Sequence, residues 1–380
     1  MTAQPPDQQL ADRAEDFMTE AEAAIVSGAY PRYPWFKRHL DDRVFYFLPV
    51  LMWIALALRH LSLTLPTVAN PSMEVGGLWG ESKAQGLRLF GPLGRARLAP
   101  FIEVVRNTRG VDCRQAVEGQ LRAVGVSLPI VAKPDRGYQG WGVRVIHAPD
   151  ELAAYLDMAP EGATVILQEM VGYENEAGIF YIRKPGQERG RVVSLTFVLP
   201  PHVIGDGRRT VAELVAADKV LRPNLDIYRS RSPGTWDSVP PAGALHELTN
   251  ARSARLGAVY RDATHLVSRD LEAAIDDVSR EIPDFHFGRF DVRFRSARDL
   301  LAGNGFRIVE LNGAGSEMLH IWDGATTLWT AYRTLWRQYR CLFAIGAAMR
   351  RRGHRPAGLR HMIRLQRDQE TLRCRYPESM

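Results

Sequence analysis

Two short apolar runs near residue 300 constrain the fold more than any other part of the chain. One is Phe290-Asp291-Val292-Arg293-Phe294 and the other closes on Glu310-Leu311-Asn312. Side chains two apart share one face of a β-strand, so Glu310 and Asn312 point one way and Leu311 points into a core. If the runs pair across the 296–305 connection, the oxygens of Asp291, Glu310 and Asn312 gather at one end of a sheet. Two carboxylates and an amide suit a hard cation such as Mg²⁺ that keeps waters and phosphate oxygens as its other ligands. The plain alternative is an acidic hairpin edge with no ligand.

A second pattern lies upstream. Leu128-Pro129-Ile130-Val131-Ala132-Lys133 reads as a strand, and it runs into a turn carrying Gly137, Gly140 and Gly142 before a second strand, Val143-Arg144-Val145-Ile146. Closely spaced glycines let backbone N–H groups approach an anion, and Lys133 adds an ammonium beside them. No GxxxxGK[ST] is present, and a strand rather than a helix follows the glycines, which excludes the Walker and dinucleotide-binding loops. A glycine-rich hairpin turn without ligand is the competing interpretation. Of the 49 Lys and Arg residues only Lys37, Lys83, Lys133, Lys184 and Lys219 are lysine. A lysine at the end of a buried strand in an arginine-rich chain suggests that a compact ammonium is needed there.

At 380 residues, with 46% hydrophobic and 24% charged residues, the chain can bury more than one core. The net charge of +6 is concentrated in the tail. Arg350, Arg351, Arg352, Arg355, Arg360, Arg364, Arg367, Arg373 and Arg375 there read as a solvated helix with a frayed end, and no nucleic-acid partner is expected. Cys113, Cys341 and Cys374 are widely spaced and lack His at metal-ligand spacing, which points to a reducing, cytoplasmic setting. The polar start shows no export signal. Val44–Leu58 carries no charge but is short for a bilayer span and contains Pro49, so a buried core helix is expected, with peripheral membrane contact as the less favoured choice.

Further elements follow from periodicity and punctuation. Asp12–Ser27 and Asp112–Ala123 read as helices, Leu63–Ala69 and Phe101–Val105 as strands, and a glycine-rich loop from Asn70 enters a helix at Ser82. Strands are expected at 163–170, 178–183 and 191–199, with helices at 150–158, 210–217, 264–280 and 329–350. The first unit then covers 1–105, a small β-rich lobe 106–195, a further lobe 196–345 and a basic tail 346–380. His246, His265, His286 and His320 lack a paired motif and are assigned structural roles.

Taken in order, Lys83, Lys133, the Gly137/Gly140/Gly142 loop, Gln168-Glu169-Met170-Val171, Glu176, Asp291 and Glu310-Leu311-Asn312 resemble the ATP-grasp superfamily. The likeness is to its D-alanine–D-alanine ligase and cyanophycin-synthetase-like branches, over roughly residues 80 to 320. The resemblance implies an α/β (α+β) ATP-grasp fold, with an N-terminal pre-grasp lobe and two lobes clasping ATP. It implies that Lys83 and Lys133 hold phosphates, that the glycine loop closes over them, and that Gln168 to Val171 face adenine. Glu176 falls where the family's ribose-binding acid stands. Asp291, Glu310 and Asn312 match ligands of Mg²⁺, two ions with Mn²⁺ able to substitute, and Arg289 matches an arginine that stabilises the oxyanion. Arg208 and Arg255 lie in segments similar to cyanophycin synthetase and are candidates for a further phosphate contact. Where D-alanine–D-alanine ligases carry a serine six residues after the loop-side lysine, this chain has Gln139, so the resemblance carries over for ATP and not for D-alanine.

Three functions follow from these features. The first is a carboxylate–amine ligase using small-molecule acid and amine substrates. The second is an ATP-binding phosphotransferase or nucleotide-binding regulator on a ligase fold. The third is a membrane-peripheral structural protein. Arg293, on the same strand face as Asp291, is left between a substrate carboxylate and a simple salt bridge, and the oligomeric state is open.

Overall fold

A computed structural model describes residues 6–106, 111–137, 140–231 and 234–376. Strands β1 (Phe101–Val105), β2 (Ile130–Pro134), β3 (Arg144–Ile146) and β4 (Thr164–Glu169) form an antiparallel sheet in the order β1-β4-β2-β3. Its apolar face, with Ile130, Ala132, Val165 and Leu167, is covered by Val117 and Leu121 of the Val111–Ala123 helix and by Leu152 and Tyr155 of the Pro149–Met158 helix. Strands β5 (Asn175–Ile182) and β6 (Arg191–Leu199) enter a second sheet. A small pair follows, β7 (His202–Ile204) with β8 (Leu245–Glu247). The second sheet is completed by β9 (Val259–Asp262), β10 (Phe287–Phe294) and β11 (Phe306–Asn312), in the order β11-β10-β5-β6-β9. The Arg269–Glu281 helix lays Leu271, Ile275 and Val278 on this sheet, against a core that includes Ile179, Phe290, Val292 and Ile308. The layout is the mixed α/β one expected. Strand pairing crosses two of the three expected divisions of the chain, because β1 joins the first sheet through β4 and β5 joins the second through β10.

Three expectations are corrected. Leu63–Ala69 is no strand; Leu65–Val68 is a buried 3₁₀ turn. Pro66 has no N–H for a ladder, and the Leu65 carbonyl packs so closely on Gly346 that a Cβ there would lie 2.6 Å from it. The expected 264–280 helix is divided, with a 3₁₀ turn at Thr264–Leu266 and the α-helix starting after Ser268, whose hydroxyl accepts from the Leu271 N–H.

The third correction concerns the uncharged Val44–Leu58 segment. It is helical, as Asp42–His60, but it is not a core helix, since it buries only Phe45, Pro49, Leu56 and Ala57. That stripe rests on the Leu328–Arg351 helix: Phe45 stacks on Tyr332 at 5.4 Å and Trp53 meets Phe343 edge-on at 5.0 Å. Pro49 removes the N–H that would bond the Phe45 carbonyl, and the Tyr332 hydroxyl donates to that carbonyl instead at 3.1 Å. The partner helix thus repairs the break. The opposite face, with Val44, Phe47, Leu48, Val50, Leu51, Ile54 and Leu58, is exposed.

Candidate active site

The two sheets border a cleft of about 1400 Å³. Its floor is the β10–β11 pair. The register sets Asp291 opposite Glu310 and Arg289 opposite Asn312, which places all four side chains on one face. A bulge follows, because Val292 pairs with Ile308 and leaves Val309 as the extra residue. The Val309 carbonyl, freed from the ladder, accepts a hydrogen bond from Lys133 Nζ at 3.1 Å.

The two lysines reach this floor from different elements, and one carboxylate locks those elements together. Asp135, two residues beyond Lys133, accepts from the Ser82 hydroxyl and the Ala84 N–H, both at 2.8 Å, while its carbonyl accepts from the Lys83 N–H at 3.1 Å. The start of the Lys83–Arg88 helix is therefore fixed to the end of β2. Lys83 Nζ forms a short ion pair with Glu310, and Lys133 Nζ donates to the Gln168 side chain at 2.8 Å. Burial works against the Lys133 ammonium, pulling its pKa down to about 8 despite the attraction of Glu310. For Glu310 burial acts upward, but Lys83 and Lys133 outweigh it and hold the carboxyl below its usual range.

Arg289 grips Asp291 through two bonds of 2.6 and 3.0 Å and also donates to the Glu317 carbonyl at 3.1 Å. Asn312 donates to the second Asp291 oxygen at 2.8 Å. Among the described residues no group of three or more His, Cys, Asp or Glu is placed to hold a metal. The donor set here is two facing carboxylates and an amide, and those oxygens fit Mg²⁺ if Lys83 and Arg289 release them.

The candidate site residues line the cleft except Gly142, Arg208 and Arg255; Arg208 is exposed on its loop, and Arg255 lies over the Trp141 ring at 4.4 Å. Gly142 has a positive φ of 68°, a Cβ on it would lie 2.7 Å from the Pro134 ring, and its carbonyl accepts from the Tyr155 hydroxyl. Its need for glycine is structural. The expected loop also contains Gln139, which lies outside the described residues. Gln168 does not turn its side chain outward: it is buried between Lys133 and the Ala99 carbonyl, leaving Glu169, Met170 and Val171 at the cleft edge. Glu176 pairs with Arg293 at 3.0 Å and with Arg252 at 4.0 Å, so Arg293 makes a salt bridge, in the cleft. Burial raises the Glu176 pKa, and the two arginines oppose that.

Other cleft residues carried no signal in the sequence. Glu317 is raised by burial, accepts from the Tyr46 hydroxyl at 3.0 Å and from Trp322 Nε1 at 3.3 Å, and adjoins the Arg289 corner. Tyr46 belongs to the Asp42–His60 helix. The tail contributes as well: in the Leu359–Arg375 helix Met362 and Leu365 are buried, and Gln366, Gln369 and Glu370 line the cleft.

No family model matches the chain. It is 29% identical over 154 residues to the cyanophycin synthetases of Nostoc sp. and Trichormus variabilis, a match covering 36% of this chain and 16% of theirs. The chain resembles the ATP-grasp ligases. Solved structures similar to it include D-alanine–D-alanine ligase from Bacillus anthracis, at TM-score 0.42 and 10% identity, covering 74% of this chain and 72% of that one. A bifunctional glutathione synthetase from Pasteurella multocida gives TM-score 0.39 and 16% identity over 69% of this chain and 35% of that one. These likenesses are too distant to carry chemistry, which comes from the cleft residues themselves.

Proposed function

We propose that this chain is an ATP-dependent carboxylate–amine ligase that works through an acyl phosphate and releases ADP and phosphate. The observation that carries this is the facing of Asp291 and Glu310 across two strands, with Lys83 and Lys133 converging on them in one cleft. ATP would lie between the two sheets, its phosphates on the two lysines and the backbone of Gly137 and Gly140. Its base would meet the Glu169-Met170-Val171 edge, and its ribose Glu176. Asp291, Glu310 and Asn312 would hold Mg²⁺, or Mn²⁺ in its place, which when bound offsets charge on the transferring phosphoryl group.

Lys83 would leave Glu310 for the phosphates as the metal ligands fill. An oxygen of the substrate carboxylate then attacks the γ-phosphorus, whose bond to the bridging oxygen breaks as ADP leaves. The amine nitrogen attacks the acyl carbon, and the guanidinium of Arg289 stabilises the oxyanion. The carbon–oxygen bond to phosphate breaks, phosphate departs, and the nitrogen loses a proton to water. The reaction uses no enzyme nucleophile.

The test is ADP and phosphate release with ATP and Mg²⁺, using pooled amino acids and short peptides, with acid or amine omitted in turn. Release only when both are present is the expected result. Phosphate retained on the product would reassign the chain as a phosphotransferase, and no Mg²⁺-dependent turnover with any pool would remove the enzymatic reading.

A further inference from the structure

The outer face of the Asp42–His60 helix carries an apolar ridge that none of the described residues covers. Phe47 is 65% exposed and Leu58 71%, with Leu48, Val50, Leu51 and Ile54 between them and Leu61 beyond the end. The helix is long and apolar enough to cross a bilayer by length and composition. It is nonetheless held along its inner face by Tyr332, Tyr339 and Phe343 of the Leu328–Arg351 helix, so it lies on the protein surface.

That neighbouring helix supplies a second, independent observation. Arg333 and Arg340 follow directly on Tyr332 and Tyr339, the residues that touch the apolar helix, and so stand about 100° round from the contact. With Arg337 they form an exposed stripe beside the ridge, and none of the three has an acidic partner among the described residues. Arg59 and Arg350 add charge at the far end, and Trp329, 74% exposed, stands one turn before Tyr332 at the near end. The acids next to the ridge in sequence, Asp41 and Asp42, cap the helix and pair with Lys37.

We propose that this face docks on a bilayer surface rich in anionic lipid. The ridge would enter the acyl boundary, the arginine stripe would meet the headgroups, and Trp329 would sit at the polar boundary. A second copy of the chain fits less well, because self-association would bring two unpaired arginine stripes into one interface. A membrane plane meets the same stripe with opposite charge. This assignment is independent of the ligase reading.

Flotation of the whole chain with vesicles of phosphatidylcholine alone, or mixed with phosphatidylglycerol, tests it. The chain should float with the mixed vesicles and bind neutral ones about tenfold less. The triple variant Phe47→Glu, Leu51→Glu, Leu58→Glu should lose binding to both. Arg333→Glu, Arg337→Glu, Arg340→Glu should lose the preference for phosphatidylglycerol. Near-ultraviolet circular dichroism of both variants verifies that the fold is kept, and quenching of Trp329 by brominated lipid, absent in Trp329→Phe, reports insertion independently of flotation. Absence of binding to the mixed vesicles overturns the proposal. So does a stable wild-type dimer in sedimentation velocity that the Phe47/Leu51/Leu58 variant dissociates, since the face would then belong to a second copy.

Discussion

In the cleft, Lys83, Lys133, Arg289, Asp291 and Glu310 are largely shielded from water and answer one another, cation to carboxylate or cation to carbonyl. On the Asp42–His60 helix the situation is reversed, with Phe47, Leu51 and Leu58 exposed and no apolar neighbour over them among the described residues. Each region departs from the usual partition of charge outward and hydrocarbon inward, and the departures differ in kind. Buried charges must be satisfied within the fold, because leaving one unpaired costs several kcal/mol, so the cleft contains its own partners. An exposed apolar face costs the folded chain little and can remain unanswered until something covers it.

Substitutions can break this contrast, beginning with the largest effect. Glu310→Gln leaves Lys83 without its counter-ion and removes a candidate metal ligand, so ADP formation at saturating substrate should fall on the order of 10³-fold. A loss under about tenfold would detach Glu310 from the chemistry. Phe45→Ala, on the packed face of the helix, should cost about 3–5 kcal/mol in chemical denaturation. Lys133→Met should weaken binding of a non-hydrolysable ATP analogue by roughly 10–100-fold in calorimetry, with little loss of stability because the replaced group is a disfavoured buried charge.

The same lysine gives a pH test. Burial places its folded pKa near 8, below the free value of 10.5, so the ammonium is lost as pH rises through about 8 and kcat/KM for ATP should fall there. Between about 8 and 10.5 the unfolded chain holds that proton more tightly than the native one, so Lys133 should make stability rise with pH in this window, and Lys133→Met should flatten the rise. The smallest effect belongs to the outer face: Phe47→Ala should change stability by no more than about 0.5 kcal/mol. A cost like that of Phe45→Ala would mean that this ring is covered.

How far the sequence disclosed these regions depended on whether the relevant interaction was local. Alternation along 290–294 and 306–312 revealed both strands and the shared face of Asp291, Glu310 and Asn312, because strand periodicity is written residue by residue. The bulge at Val309 was not legible, since it arises between strands. Nor was the Asp135 clamp on Ser82 and Ala84, or the bond from Tyr46 to Glu317, 271 positions apart. Hydropathy marked 44–58 as apolar but is the same for a core helix and for one with a bare side. Only the packing of Tyr332, Tyr339 and Phe343 distinguishes them, and it covers one face.

The Asp42–His60 helix also joins the two regions mechanically. Tyr46, whose hydroxyl rests on Glu317, and Leu58 on the bare face belong to one hydrogen-bonded rod and lie about 18 Å apart at 1.5 Å per residue. The aromatic cluster of Phe36, Phe45, Trp322 and Tyr332 grips that rod close to its Tyr46 end. Farther along, Trp53 packs on Tyr339 and Phe343, so the rod is fastened along its length. The bare face and the Glu317 carboxylate are thus two ends of a single fastened element, so neither can be repositioned without the other.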